Sequence, residues 1–106
     1  MNPTKNTISP RVKHIISYIN NNFTKNITLD ELEKQFYISK YHLCHLFLQS
    51  TGLTIHQFIT KKRLALAKDL IDSGKSISEA ARISGFNTYS SFYRAYVNEH
   101  NQAPKK

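Results

Sequence analysis

Apolar side chains recur three and four places apart along most of the chain, and no stretch alternates strictly enough to read as a strand, so the class is all-α. Ser9-Pro10 is a helix start, with serine as cap and proline in the first helical position. Val12, Ile15, Ile16, Ile19 and Phe23 follow at helical spacing and carry the first helix to about Asn21, where the Asn20-Asn21-Asn22 run stops it. Thr28 opens a second helix with Glu31 three places on as a capping box, and Leu29, Leu32 and Phe36 as its apolar stripe. Ser39 caps a third helix, about Lys40 to Ser50, that turns Leu43, Leu46 and Phe47 inward and ends at Gly52. From Thr54 a long fourth helix runs over about Ile55 to Asp72, roughly 27 Å at 1.5 Å per residue. Phe58, Ile59, Leu66, Leu70 and Ile71 supply its apolar surface, and Gly74 closes it.

The stretch from Ser78 to Tyr96 reads as two short helices around a tight turn. Ala80, Ala81 and Ile83 suit close packing, Gly85 can take positive φ, and Phe86 plugs the corner. Asn87 or Thr88 caps the sixth helix, which sets Phe92 and Tyr96 on one face and Ser90 and Arg94 on the other. This is the outline of a helix-turn-helix, whose second helix enters the DNA major groove. An internal repeat extends it. Shifted by 48 residues, Leu29 falls on Ile77, Glu31 on Glu79, Ile38 on Phe86, Ser39 on Asn87 and Tyr41 on Tyr89. One inserted residue later, Leu43 matches Phe92 and Phe47 matches Tyr96. About six helices are therefore expected: a flexible leader over 1–8, a first helix-turn-helix subdomain over 9–53, a linker helix over 54–73 and a second subdomain over 74–106.

Charge gives this outline a partner. The net charge is +8 with a pI near 9.8, which favours a polyanion, nucleic acid before anionic membrane. No acid lies between Lys34 and Lys68, a span holding Lys40, Lys61, Lys62 and Arg63. The apolar runs are too short to cross a bilayer, and no signal peptide opens the chain. The single cysteine, Cys44, excludes an internal disulfide and fits a reducing cytoplasm.

With Leu43 and Phe47 inward, Tyr41, His45 and Leu48 point away from the core and Cys44 lies on the flank. In the sixth helix Ser90, Arg94 and Val97 turn outward, Tyr93 takes the flank, and Tyr89 stands in the first turn. An outward arginine can bond guanine O6 and N7 together, and hydroxyls read bases more permissively. Ser39, Lys40, Asn87 and Thr88 begin the two recognition helices, where backbone amides and the helix dipole favour a phosphate; plain capping is the competing role. Lys61, Lys62 and Arg63 on the linker helix are either phosphate contacts or a solvated face.

Taken together, these spacings resemble the DNA-binding domain of the AraC/XylS family of bacterial transcription regulators. The resemblance runs from Thr28 to Pro104 through Ser39-x3-Leu43-x3-Phe47-x4-Gly52, Arg63-x3-Ala67-x2-Leu70, Ile77-x3-Ala81-x3-Gly85-Phe86 and Phe92-x3-Tyr96. It implies a bilobed fold with both recognition helices in successive major-groove segments on one face of the duplex. It also implies base-facing positions at Tyr41, Cys44 and His45, and at Tyr89, Ser90, Ser91 and Arg94. Several positions depart from the family pattern. Glu33 stands where alanine is usual, Tyr37 where a turn glycine is common, His45 where arginine is frequent, and Asn101 in the place of a late glycine. Leu48 and Val97 replace positions often polar or basic, and the chain stops short of the family's customary last helix. A first unit that binds more weakly, or reads a thymine-rich edge, is the expectation, with the second carrying more specificity.

The cluster His42, Cys44, His45 and His56 lacks a second cysteine and does not converge on one helical face, so neither a metal nor another cofactor is expected. Catalysis is not expected either: no glycine-rich phosphate loop appears, and the carboxylates are scattered. The rival from another class is a helical protein-interaction module using Leu48 and Val97 without touching DNA. RNA fits less well, because its major groove is deep and narrow. The sequence therefore predicts a monomeric, cytoplasmic and nucleoid-associated regulator that binds double-stranded DNA, with RNA polymerase as a further partner. It is either a minimal regulator set by its own abundance or the output end of a longer receptor.

Overall fold

A computed structural model describes residues 9–105, and the leader over 1–8 lies outside them. Six helices appear among the described residues and no strand: α1 (Pro10–Asn22), α2 (Leu29–Phe36), α3 (Lys40–Thr51), α4 (Ile55–Asp72), α5 (Ile77–Ile83) and α6 (Tyr89–His100). The chain forms two compact units. One holds α1, α2, α3 and the start of α4 through Phe58; the other takes Phe23–Asn26 and everything from Ile59 onward.

In the first unit α3 packs on both α1 and α2. Val12, Ile15, Ile19, Leu32, Leu43 and Phe47 are removed from solvent. Phe58 closes the base edge-on against Phe47, with ring centres 5.4 Å apart. Thr28 caps α2 as expected, its hydroxyl accepting the Glu31 N–H at 3.1 Å. The Glu31 carboxylate, however, is taken by the Tyr18 hydroxyl of α1, so the acid ties two helices together and the Tyr18 hydroxyl is held above its usual pKa. A complete capping box forms instead at α4. Thr54 N–H donates to Gln57 Oε1 at 2.9 Å and Gln57 N–H to Thr54 Oγ1 at 3.0 Å. Leu29, expected on the buried stripe of α2, is 38% exposed at the first position after the cap.

The core of the second unit joins Leu64, Ala67 and Ile71 of α4 to Ala80 and Ala81 of α5 and to Phe92 and Tyr96 of α6. Phe86 seals the turn edge-on against Phe92 at 5.5 Å. Phe23, read as part of the first helix's stripe, lies beyond the end of α1 and belongs to this unit. Arg63 is the larger revision. It does not belong to a solvated face: half-buried, it donates from Nε to the Phe23 carbonyl at 2.7 Å and from Nη2 to the Lys25 carbonyl at 2.9 Å. Its guanidinium also lies over the Phe86 ring at 5.9 Å. Burial pushes its pKa below the usual arginine value, yet two accepting carbonyls keep the cation satisfied.

Candidate nucleic-acid interface

Each unit presents one recognition helix of twelve residues, α3 and α6, begun by a hydroxyl cap and ended by a left-handed residue. Ser39 Oγ accepts the His42 N–H at 3.2 Å, and Thr88 Oγ1 accepts the Ser91 N–H at 3.0 Å. At the far ends, Gly52 has φ 78° and Asn101 has φ 58°. These landmarks correct the register of the repeat. Thr88, not Asn87, is the cap, so the inserted residue lies in the turn and Ser39 corresponds to Thr88. Lys40 then matches Tyr89, Tyr41 matches Ser90, and His45 matches Arg94.

On α3, Tyr41 is 69% exposed and its ring leans on the His45 imidazole, centres 4.2 Å apart. The two residues sit one turn apart, so they form a single aromatic ledge. Cys44 is exposed beside it. His45 also borders an open groove of about 430 Å³ whose other walls include Arg11, Tyr37, His42 and Gln49. Arg11 reaches from α1 to donate to the Phe36 and Tyr37 carbonyls at 3.1 and 3.2 Å, bracing the turn that aims α3.

On α6, Tyr89 is 48% exposed, and Ser90 and Arg94 are exposed. Arg94 has no hydrogen-bond or ion-pair partner among the described residues. Ser91 is different. It is half-buried, and its hydroxyl is engaged by Thr88 Oγ1 at 2.9 Å, so its first duty is to the cap. Val97, expected outward, is half-buried as well, while Leu48 on α3 is 47% exposed.

The residues expected to meet phosphates divide by what already holds them. Asn87 and Thr88 are exposed at the start of α6, and Ser39 at the start of α3. The Lys61 ammonium is paired with Glu99 of α6 at 3.0 and 3.2 Å. Lys62 is half-buried. Lys40 pairs with Asp30 of α2, whose carboxyl it holds below the usual range by its hydrogen bond and charge. The Lys40 N–H itself donates to Glu33 Oε2 at 3.3 Å. No group of three or more His, Cys, Asp or Glu able to hold a metal occurs among the described residues, and no described helix is long and apolar enough to cross a membrane.

A family described as a helix-turn-helix domain matches residues 32–106. The chain is 33% identical over 93 residues to LumQ, a probable transcriptional regulator of Photobacterium leiognathi, covering 87% of this chain and 38% of LumQ. It is 31% identical over 97 residues to an uncharacterized helix-turn-helix transcriptional regulator of Staphylococcus aureus, covering 91% of this chain and 13% of that protein. It therefore spans well under half the length of these relatives. Among solved structures it is similar to the C-terminal domain of AraT, a response regulator from Geobacillus stearothermophilus, with TM-score 0.85 and 25% identity over 92% of this chain and 83% of that one. It has the same fold as the DNA-binding domain of AdpA solved with target DNA, with TM-score 0.82 and 18% identity over 91% of this chain and 87% of that one.

Proposed function

Because the chain belongs to the AraC-type helix-turn-helix family, we propose that it binds double-stranded DNA sequence-specifically through α3 and α6 and so regulates transcription. The observation that carries this reading is the pair of outward rows on α3 and α6, above all the unpaired guanidinium of Arg94, on a chain of net charge +8. In this reading Arg94, Ser90 and Tyr89 read one major-groove segment, and Tyr41, Cys44 and His45 read another. Ser39, Lys40, Lys61, Lys62, Asn87 and Thr88 meet phosphates, with Ser91 supporting the cap. The Tyr41–His45 ledge favours thymine methyls and stacked sugars over guanine, since neither ring offers a bidentate donor. The domain acts as a monomer on an asymmetric site in the cytoplasm, with RNA polymerase as a second contact.

Selection of bound duplexes from a random pool, followed by titration at two salt concentrations, tests the proposal. Affinity should fall steeply with salt. Arg94→Ala should lose about 1–3 kcal/mol of discrimination at the guanine it reads while leaving non-specific binding nearly intact. His45→Ala should cost less. Retention of full sequence preference by Arg94→Ala would refute the assignment. Salt-insensitive association with protein and none with duplex would favour the interaction-module reading, for which half-exposed Leu48 is the natural anchor.

A further inference from the structure

The two recognition helices begin in different electrostatic surroundings. At the start of α3, two carboxylates from α2 face the helix end: Asp30 holds the Lys40 ammonium, and Glu33 accepts the Lys40 N–H. The register set by the caps places Ser78 and Ala81 of α5 at the corresponding positions of the second unit, and Tyr89 in place of Lys40. Neither Ser78 nor buried Ala81 carries a carboxylate, whereas half-buried Glu33 reaches the start of α3. A helix N-terminus and a lysine are what a DNA backbone phosphate would engage. In this chain both are already engaged by anions of its own.

We propose that Asp30 and Glu33 act as an internal phosphate mimic that weakens the first unit's hold on DNA, because backbone phosphates must displace the two carboxylates from Lys40 and its N–H. The inference rests on the DNA-binding reading above and adds a regulation to that site. Displacement exchanges one anion for another, so each carboxylate weakens binding by about the weight of an exposed ion pair, roughly twofold to fivefold. The restraint bears on backbone contacts and is therefore blind to base sequence. It lowers the first unit's hold on every duplex alike and leaves that unit's base discrimination unchanged.

The test is equilibrium titration of the full chain with a fluorescent 30-base-pair duplex of random sequence, at two salt concentrations. Asp30→Asn and Glu33→Gln remove charge at nearly constant size, and together should tighten binding roughly fivefold or more. Freeing Lys40 should steepen the salt dependence by about one phosphate's worth. Asp30→Glu retains the charge and should leave affinity near the native value. Asp72→Asn, which neutralises another exposed acid paired with Lys68, matches the charge change of either single variant and should change affinity less than twofold. Placed on Lys40→Ala, Asp30→Asn should give no gain, because its target is gone. Helical circular dichroism confirms that each variant is folded, and either single variant suffices if the pair is not. A double variant no tighter than Asp72→Asn overturns the proposal, as does an undiminished Asp30→Asn gain on Lys40→Ala. Failure of the native chain to bind duplex at low salt would instead remove the DNA-binding premise, and this inference with it.

Discussion

The turn before α3 is made by Tyr37 and the turn before α6 by Gly85, and the two solve one backbone problem under different constraints. Both adopt positive φ, 53° and 109°. Tyr37 is 89% exposed, so its side chain meets mostly solvent, and the cost is the strain of a left-handed non-glycine residue. Gly85 has no such room. A Cβ there would sit 2.9 Å from Arg63 Nε and from the Thr24 backbone, which are the groups that brace the turn. The same division runs through both units. The second is built by close approach: Ala80 and Ala81 are buried, and Arg63 draws the Phe23–Asn26 segment against the turn. The first is built by reach: Arg11 spans to the turn carbonyls, and Glu33 extends where an alanine would otherwise sit. One motif thus tolerates polar spacers where the packing is open and requires small residues where it is not.

Substituting the two turn residues separates these modes. Gly85→Ala should be the most damaging change, about 3 kcal/mol, because positive φ and backbone overlap add and neither Thr24 nor the hydrogen-bonded Arg63 can yield cheaply. Chemical denaturation should show it, and a loss below 1 kcal/mol would mean that the turn is not held tightly. Tyr37→Gly should do the reverse, raising stability by up to about 1 kcal/mol as strain is relieved, less the entropy of a freer unfolded chain. Destabilisation would instead assign Tyr37 a packing role that its exposure argues against. The smallest effect concerns the Lys40–Asp30 pair, which the second unit lacks. Because the Asp30 carboxyl is depressed, its contribution is present above the ordinary aspartate range, near pH 4, and is lost as pH falls through the lowered value. Lys40 is shifted upward, so the pair should persist through neutral pH and fade only as pH rises through that raised value. Melting curves of the native chain and Asp30→Asn should therefore diverge at neutral pH and converge in acid.

Much of the helical outline was legible because its signals are local. Ser39, Thr28 and Gly52 cap where their chemistry says they should, and the apolar periodicity placed α4 over Ile55–Asp72. Membership of the all-α class and the doubled motif followed from the same short-range pattern. What escaped depended on distant partners. Arg63 stands beside Lys61 and Lys62 and reads as one of a solvated trio until carbonyls some 40 residues away in sequence are brought to it. Lys61 remains exposed, but its ion pair with Glu99, 38 residues on, has no local signal. The register of the repeat slipped because Asn87 and Thr88 are both good caps, and only backbone geometry separates them. Of the residues expected to face bases, Tyr41, Cys44, His45, Tyr89, Ser90 and Arg94 are exposed, while Ser91 is half-buried and its hydroxyl accepts from Thr88.

The Phe23–Asn26 segment has a consequence for dissecting the molecule. Because it lies between α1 and α2 in the sequence but belongs to the second unit, the polypeptide passes from one unit to the other three times: after Asn22, after Asn26 and within α4 after Phe58. No single cut releases either half whole. A fragment beginning at Ile59 would keep α6 and its arginine yet lose both carbonyls that satisfy Arg63, stranding a half-buried cation. Swapping reading heads between homologues would have to transplant that four-residue graft along with the C-terminal portion, or each chimera would inherit a bolt without its socket.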